Sequence, residues 1–494
     1  MKKEKNPYHK EFGVINNMAY ILRSAKEFAP LVYLNTLLGV ISAPIINYTW
    51  TFITKFVIDF ISKEKDIKDL GLLIGIFFVI NLVFSIIMIF YDSSNWWRQA
   101  LVRFRLMDIK NVKAMTINFQ HVEDPDILDC YQKACNACSD DSSGLQGMLS
   151  VTLNFLVMLS SIVTGLVILG TLNIYIVLVM LILASLQFLV SNKVSKWTKE
   201  HVWDELSTWW RKHSYMDRNA SDFSSAKDIR MFSLKGWFLK KFEEINKTRI
   251  EYEEINQKMW FYNGISYTIL WTISQIFVYA YLIKNVISGE LTIGNFSLYL
   301  SSSGIFFMYV SNFLGNINSL LRTNREVDDF RSFVELDVGD ETIGGIPVPE
   351  FEKYEFHFEN VSFKYPKSEK YALKNLTLTV KAEERLAVVG LNGAGKTTFI
   401  KLLLRLYEPT EGKIYLNGVD IATYNKASYY SIFAPVFQEI NLFAFPLAEN
   451  VSMKTTEETK KELAEQYLKD SGFEAKLKEL PKGVETEVLK NIYE

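Results

Sequence analysis

Apolar runs of about 20 residues, each long enough to cross a ~30 Å hydrocarbon core as a helix, recur through the first two-thirds of this chain. They lie near residues 28–52, 70–91, 148–170, 172–192, 260–283 and 292–318, six in all. Buried helices of a soluble protein would show polar faces more often than "LGLLIGIFFVINLVFSIIMIF" or "IYIVLVMLILASLQFLV" do. A chain of 494 residues with 49% hydrophobic and 14% aromatic residues is too long and too apolar for one soluble domain. The first run is preceded by the amphipathic lead-in "VINNMAYILRSAKEF" and has no small-residue cleavage pattern, so it is expected to stay in the membrane. A net charge of −2 offers no basic excess for nucleic acid.

Lysine and arginine in the connections set the orientation. Residues 92–147 carry Arg98, Arg103, Arg105, Lys110, Lys113 and Lys133, and residues 193–258 are richer still. The intervening connections are poorer: 62–69 mixes three lysines with Glu64, Asp66 and Asp69, the turn near 170–172 has none, and 284–291 has only Lys284. Both termini and both long connections are therefore expected in the cytosol, in a multi-pass protein of the cytoplasmic membrane in contact with lipid.

Helical spacing of apolar residues continues out of the second run through "WWRQALVRFRLMDIKNVKAM". Pro125 after Asp124 suits the first turn of a short new helix, and a second short helix is readable at "SSAKDIRMFSLKGWF". Ile229, Met231, Phe232 and Phe238 are more apolar than a solvated loop needs. Cys130, Cys135 and Cys138 are the only cysteines, and with His121 as the one nearby histidine they fall short of four zinc ligands, so they read as reduced thiols on a cytosolic helix.

The character changes after the sixth run. "LLRTNREVDDFRSFVEL" is a charged amphipathic helix, "DVGDETIGGIPVPE" is a linker, and a second domain begins near Phe351. There "YEFHFENVSFKY" alternates like an edge strand, "LTLTV" and "RLAVVG" read as strands, and "TEGKIYLNGVDI" as a hairpin turning at Asn417-Gly418. The expected domain is mixed α/β, with antiparallel strands beside a buried parallel core.

Gly390-Leu391-Asn392-Gly393-Ala394-Gly395-Lys396-Thr397 fits G-x-x-x-x-G-K-[ST] between the run "LAVV" and an amphipathic helix, the setting of a P-loop. Such a turn wraps phosphates with backbone N–H groups and adds the partial positive charge of a helix N-terminus. Lys396 is placed on the β- and γ-phosphates, Thr397 offers a hydroxyl to Mg²⁺, and Thr398 completes the nucleotide-binding set.

With these parts in this order the whole chain resembles the ATP-binding cassette (ABC) exporters, in which a six-helix membrane half precedes a nucleotide-binding domain. The resemblance implies a multi-domain membrane protein: a six-helix all-α transmembrane domain over 1–336, a linker over 337–350, and a partial α/β P-loop NTPase domain over 351–494. "VSFKYP" is similar to the family's aromatic loop, which implies that Tyr365 stacks on adenine, and "VFQEINLFAFPLAENV" to its Q-loop, which implies that Gln438 contacts Mg²⁺ and the attacking water. The stretches 119–133 and 224–238 resemble the two coupling helices. ATP and Mg²⁺ are the implied cofactors, and dimerisation with itself or a related half-transporter the implied assembly.

The sequence departs from the family after "KELPKGVETEVLKNIYE": no LSGGQ signature loop, acidic strand or switch histidine is read before Glu494. Asp420 is followed by Ile421 where a catalytic glutamate is needed, and His357 precedes the P-loop. A chain with the phosphate cradle alone is expected to bind nucleotide without turning it over. The readings that compete are an exporter subunit seen incompletely and a non-hydrolysing membrane subunit; a membrane-tethered P-loop kinase or GTPase conflicts with the Gln438 region. No ionisable residue sits in the middle of a span to identify cargo, while Asn263, Gln275, Asn312 and Asn316 are candidates to line a cavity. Export of a lipid, drug or peptide fits better than import.

Overall fold

In the computed structural model the chain divides into two units, Met1–Glu341 and Thr342–Glu494. The structure describes residues 6–62, 67–203, 206–222, 225–339, 341, 344–366, 368–437 and 442–488.

The first unit is helical. Helix α1 (Val14–Phe28) buries Asn17, Ile21, Ser24 and Ala25, the four-and-three spacing of one helical face, and ends ahead of Pro30. It is followed by α2 (Leu31–Ser62) and α3 (Ile67–Thr116), the latter 50 residues long. At that length α3 measures about 75 Å, more than twice the ~30 Å of hydrocarbon, so it runs well beyond the apolar stretch that begins it. A short α4 (Phe119–Val122) leads to α5 (Pro125–Ala137), whose first turn is set by Pro125 and by the Asp124 carboxylate accepting from the Asp126 N–H at 2.8 Å. Then come α6 (Gly144–Gly170), α7 (Ile174–Thr198), α8 (Ser207–Ser221), α9 (Ala226–Met231), α10 (Lys235–Ile287) and α11 (Ile293–Val334).

Five of these, α2, α3, α6, α7 and α10, are long and apolar enough to cross a membrane. The expected sixth span falls on α11, which is long but carries Ser301, Ser302, Ser303, Asn312 and Asn316 in its first part and is less apolar for that reason. Ser302 and Ser303 are buried, so that polarity is turned inward. Leu72, Ile76, Phe78, Val79, Ile86 and Ile89 of α3 are exposed, which suits hydrocarbon and not water. One core of this unit joins Leu169, Val177, Met180, Val278, Phe306 and Phe307 from α6, α7, α10 and α11. Another joins Ile21, Leu106, Ile127, Met148 and Phe330 from α1, α3, α5, α6 and α11. Gly165 permits the close approach of α2 and α11 to α6: a Cβ there would stand 2.4 Å from the Tyr48 hydroxyl oxygen and 2.8 Å from the Phe306 ring.

The charged helix read at 320–336 is not a solvated one. Asp328 and Arg331 are buried. Asp328 accepts from the Phe12 N–H at 3.0 Å and from Asn17 Nδ2 at 2.6 Å, while Arg331 donates to Asn17 Oδ1 at 2.8 Å and to Glu335 at 2.6 Å. The segment ahead of α1 is thus tied to the end of α11.

The second unit is built on a four-stranded antiparallel sheet in the order β2-β1-β3-β4, from β1 (Phe356–Lys364), β2 (Tyr371–Val380), β3 (Glu411–Leu416) and β4 (Val419–Asp420). The hairpin turns at Asn417 (φ +48°) and Gly418 (φ +83°), the conformation an Asn-Gly pair adopts most easily. Two expectations are corrected. β1 is not an edge strand: it pairs with β2 on one side and β3 on the other, which is why Phe356, Phe358, Val361 and Phe363 are buried. "RLAVVG" is not a strand, and no parallel core is present among the described residues. A buried parallel strand needs a neighbour on each side to satisfy its N–H and C=O groups. Residues 385–390 pair with no described strand, and Val389 is left 87% exposed.

Helix α12 (Lys396–Leu403) lies on the sheet through Phe399, whose ring centre is 5.0 Å from that of Phe358. The short α13 (Lys426–Tyr430) buries Tyr429. Beyond it α14 (Leu447–Ser452), α15 (Lys461–Asp470) and α16 (Glu474–Glu479) share a small core of Ala448, Ala464, Leu477 and Val484.

Candidate nucleotide-binding site

Between β2 and α12 the chain makes the turn that carries the phosphate-binding motif. Gly393 (φ +85°) and Gly395 (φ +89°) hold backbone conformations that an L side chain resists. At Gly395 there is also no room: a Cβ would stand 2.8 Å from the Ala372 carbonyl oxygen of β2. The Ala394 N–H closes the turn onto the Leu391 carbonyl at 3.1 Å, and the Phe399 N–H reaches back to the Gly395 carbonyl at 2.9 Å, the first bonds of turn and helix. Helix geometry leaves the earlier N–H groups of α12, those of Lys396, Thr397 and Thr398, with no carbonyl four residues back, and they head the positive end of the helix.

The Lys396 ammonium is folded onto this turn, donating to the Gly390 carbonyl at 2.7 Å and to the Leu391 carbonyl at 2.9 Å. Leu391, Asn392, Gly393 and Ala394 are exposed around it. Thr397 is exposed at the head of α12 and Thr398 is buried. The Thr397 hydroxyl is a hard oxygen donor open to solvent, which suits a magnesium ion.

Tyr365 reaches the same place from the end of β1. Its hydroxyl is 3.0 Å from the Thr398 hydroxyl, and its ring meets Phe363 and Tyr407 edge-on at 5.1 and 5.4 Å between centres. The Lys401 ammonium lies 5.8 Å from the Tyr365 ring centre and 5.2 Å from that of Tyr407. The fold therefore brings Tyr365, Lys396, Thr397 and Thr398 together with the turn 390–395. Gln438, the other expected site residue, lies outside the described residues.

Sequence reasoning missed Tyr407, Lys401 and Asn450. Asn450 accepts from the Phe443 N–H at 2.9 Å and donates to the Phe443 and Phe445 carbonyls at 3.0 and 3.1 Å, pinning the turn after the Gln438 segment. No spacing marks it, because all its partners are backbone groups. Lys401 lies on the helix after the P-loop and Tyr407 just past its end, and the apolar pattern identified that helix but not its aromatic neighbours.

In the membrane unit, Asn263, Asn312 and Asn316 line a cavity of about 430 Å³ together with Gln187 and Tyr267. Gln275 does not line it: its carbonyl accepts from the Ser303 hydroxyl at 3.0 Å, a bond between neighbouring helices.

Residues 373–488 match the sequence pattern of the ABC transporter family. The second unit carries an ABC transporter domain. The chain is similar to the subtilin transport ATP-binding protein SpaT of Bacillus subtilis, 27% identical over 348 residues, covering 69% of this chain and 54% of that one. It is similar to the mitochondrial iron-sulfur clusters transporter ATM1 of Saccharomyces cerevisiae at 29% identity, over 57% of this chain and 42% of that one. With the nisin transport ATP-binding protein NisT of Lactococcus lactis the identity is 25%, over 59% and 49%. The chain thus spans about half the length of the curated relatives it matches. A solved structure of a bacterial Atm1-family ABC exporter with ATP bound superposes with a TM-score of 0.70 at 17% identity, covering 92% of this chain and 79% of that one. The fold is therefore that of an ABC exporter, a membrane portion fused in front of an ABC domain. With its apolar helices the chain is a multi-pass membrane protein, and its ABC domain implies nucleotide binding.

Proposed function

We propose that this protein is the ATP-binding subunit of an ABC-type exporter, coupling ATP binding and hydrolysis to export of a substrate across the cytoplasmic membrane. The observation that carries this reading is the turn 390–395 heading α12, with Lys396 folded onto it and Tyr365 alongside. Lys396 exchanges two neutral carbonyl acceptors for anionic phosphate oxygens when nucleotide arrives, which adds charge–charge attraction to its hydrogen bonds. The N–H groups at the head of α12 receive the same phosphates, and the Tyr365 ring presents a face for the base. Thr397, with Gln438, would hold Mg²⁺, which neutralises charge on the transferred phosphate.

Basic residues concentrated in 92–147 and 193–258 support cytosolic connections and cytosolic termini. Half-transporters of this fold suggest a dimer, with itself or with a related chain. The cavity at Asn263, Asn312 and Asn316 offers amides and hydroxyls with no carboxylate, ammonium or guanidinium among the residues named, which favours a neutral or hydrogen-bonding cargo surface. Photolabelling of the purified chain by an azido-ATP is expected to fall at least about tenfold in Lys396→Ala, the loss of one charge-assisted contact set. Equal labelling of variant and parent would remove the basis of this reading.

A further inference from the structure

Lys110 of α3 is a buried lysine, 5% exposed, and its ammonium donates to the Cys135 sulfur of α5 at 3.1 Å. The same ammonium is 5.3 Å from the centre of the Tyr131 ring. Among the described residues no carboxylate lies within ion-pairing distance of it. An ammonium withdrawn from water is costly unless an anion faces it, and the atom it is aimed at is a thiol sulfur. Cysteines beside a lysine and partly open to solvent are the reactive ones, because the charged sulfur is the nucleophile. Cys135 meets both conditions, being half-buried, whereas Cys130 and Cys138 are 2% and 6% exposed. Burial pushes the Cys130 thiol up and the Cys138 thiol up to about 11, which keeps both protonated and inert.

We propose that Cys135 is a nucleophilic thiol, primed by Lys110, that forms mixed disulfides with low-molecular-weight disulfides. The Cys135 sulfur attacks one sulfur of the incoming disulfide, a new S–S bond forms, and the old one breaks. The released half leaves as a thiolate and takes up the proton that Cys135 gives up. Cys135 is oxidised, the small disulfide is reduced, and no other reagent is consumed. The adduct also takes from Lys110 its hydrogen-bond acceptor, so its effect falls on the contact between α3 and α5.

The test uses the full chain in detergent micelles with oxidised glutathione at neutral pH, followed by peptide mass spectrometry. The glutathione adduct is expected at Cys135 about tenfold faster than at Cys130 or Cys138, and faster than at Cys135 of the same chain unfolded in urea. Lys110→Met should slow the reaction at Cys135 about tenfold, and Lys110→Arg should restore most of it. Equal rates at the three cysteines, or an unfolded chain that reacts at Cys135 faster than the folded one, overturns the proposal. So does an internal disulfide formed in place of the adduct. The comparison of folded with unfolded wild type needs no variant, so it decides the matter even if Lys110→Met fails to fold.

Discussion

Tyr365 illustrates how a single residue acquires a role from what surrounds it. Its ring is fixed edge-on by Phe363 and Tyr407 and its hydroxyl by Thr398, so its orientation is set before any ligand binds, and a preorganised ring loses little entropy on stacking. Tyr365→Ala is expected to weaken ATP binding by about 1 kcal/mol, roughly a fivefold rise in Kd. Tyr365→Phe keeps the ring and drops only the hydroxyl, so it should weaken binding less; titration with a fluorescent ATP analogue compares the two. Equal losses would assign the effect to the hydroxyl contact with Thr398. Binding of inorganic tripolyphosphate, which has no base, should be unchanged in both variants.

At the scale of elements, helix packing in the membrane unit rests on small residues that admit large neighbours. Gly165 of α6 faces Tyr48 of α2 and Phe306 of α11, and a methyl group there would overlap both. Gly165→Ala should therefore destabilise the unit by about 1–3 kcal/mol, the usual range for overpacking, read as a lower melting temperature in detergent. The nearest obstacle is the Tyr48 hydroxyl oxygen at 2.4 Å, so Tyr48→Phe should recover part of the loss in the double variant. If the double variant is less stable than the sum of the single ones, helix proximity at this point is not what Gly165 provides. In the second unit, the hairpin was legible because Asn-Gly has a local conformational preference, whereas the places of β1 and of residues 385–390 depend on which strands are available to pair.

For the whole molecule, the distribution of lysine and arginine makes a topological prediction. Thr171, exposed between α6 and α7, should face outward, and Ser139, exposed between α5 and α6, should face the cytosol. In a cysteine-free background, Thr171→Cys should react with a membrane-impermeant maleimide in sealed cells and Ser139→Cys only after lysis. The reverse pattern would invert the orientation and place the phosphate-binding turn on the wrong side for cytosolic ATP.

Apolar length, the helix start at Asp124-Pro125, the Asn417-Gly418 turn and the glycine pattern at 390–395 were all readable from the chain, because each acts through neighbours a few residues away. The extension of α3 beyond its apolar stretch and the cavity-lining Asn263, Asn312 and Asn316 were legible in outline, whereas the contact of Tyr365 with Thr398 was not. Burial of Lys110 against Cys135, of Asp328 and Arg331 against the segment ahead of α1, and the inward turn of Ser302 and Ser303 were not. The charges look like solvated ones in sequence, and only partners 25 to more than 300 residues away, brought alongside by helix packing, convert them into buried pairs. Ser303 likewise meets Gln275, while the Ser302 hydroxyl is buried without a hydrogen-bond partner among the described residues. Local preference depends on sequence neighbours alone. The cost of burying a polar group depends on whether a distant partner meets it, and that is decided by the tertiary structure.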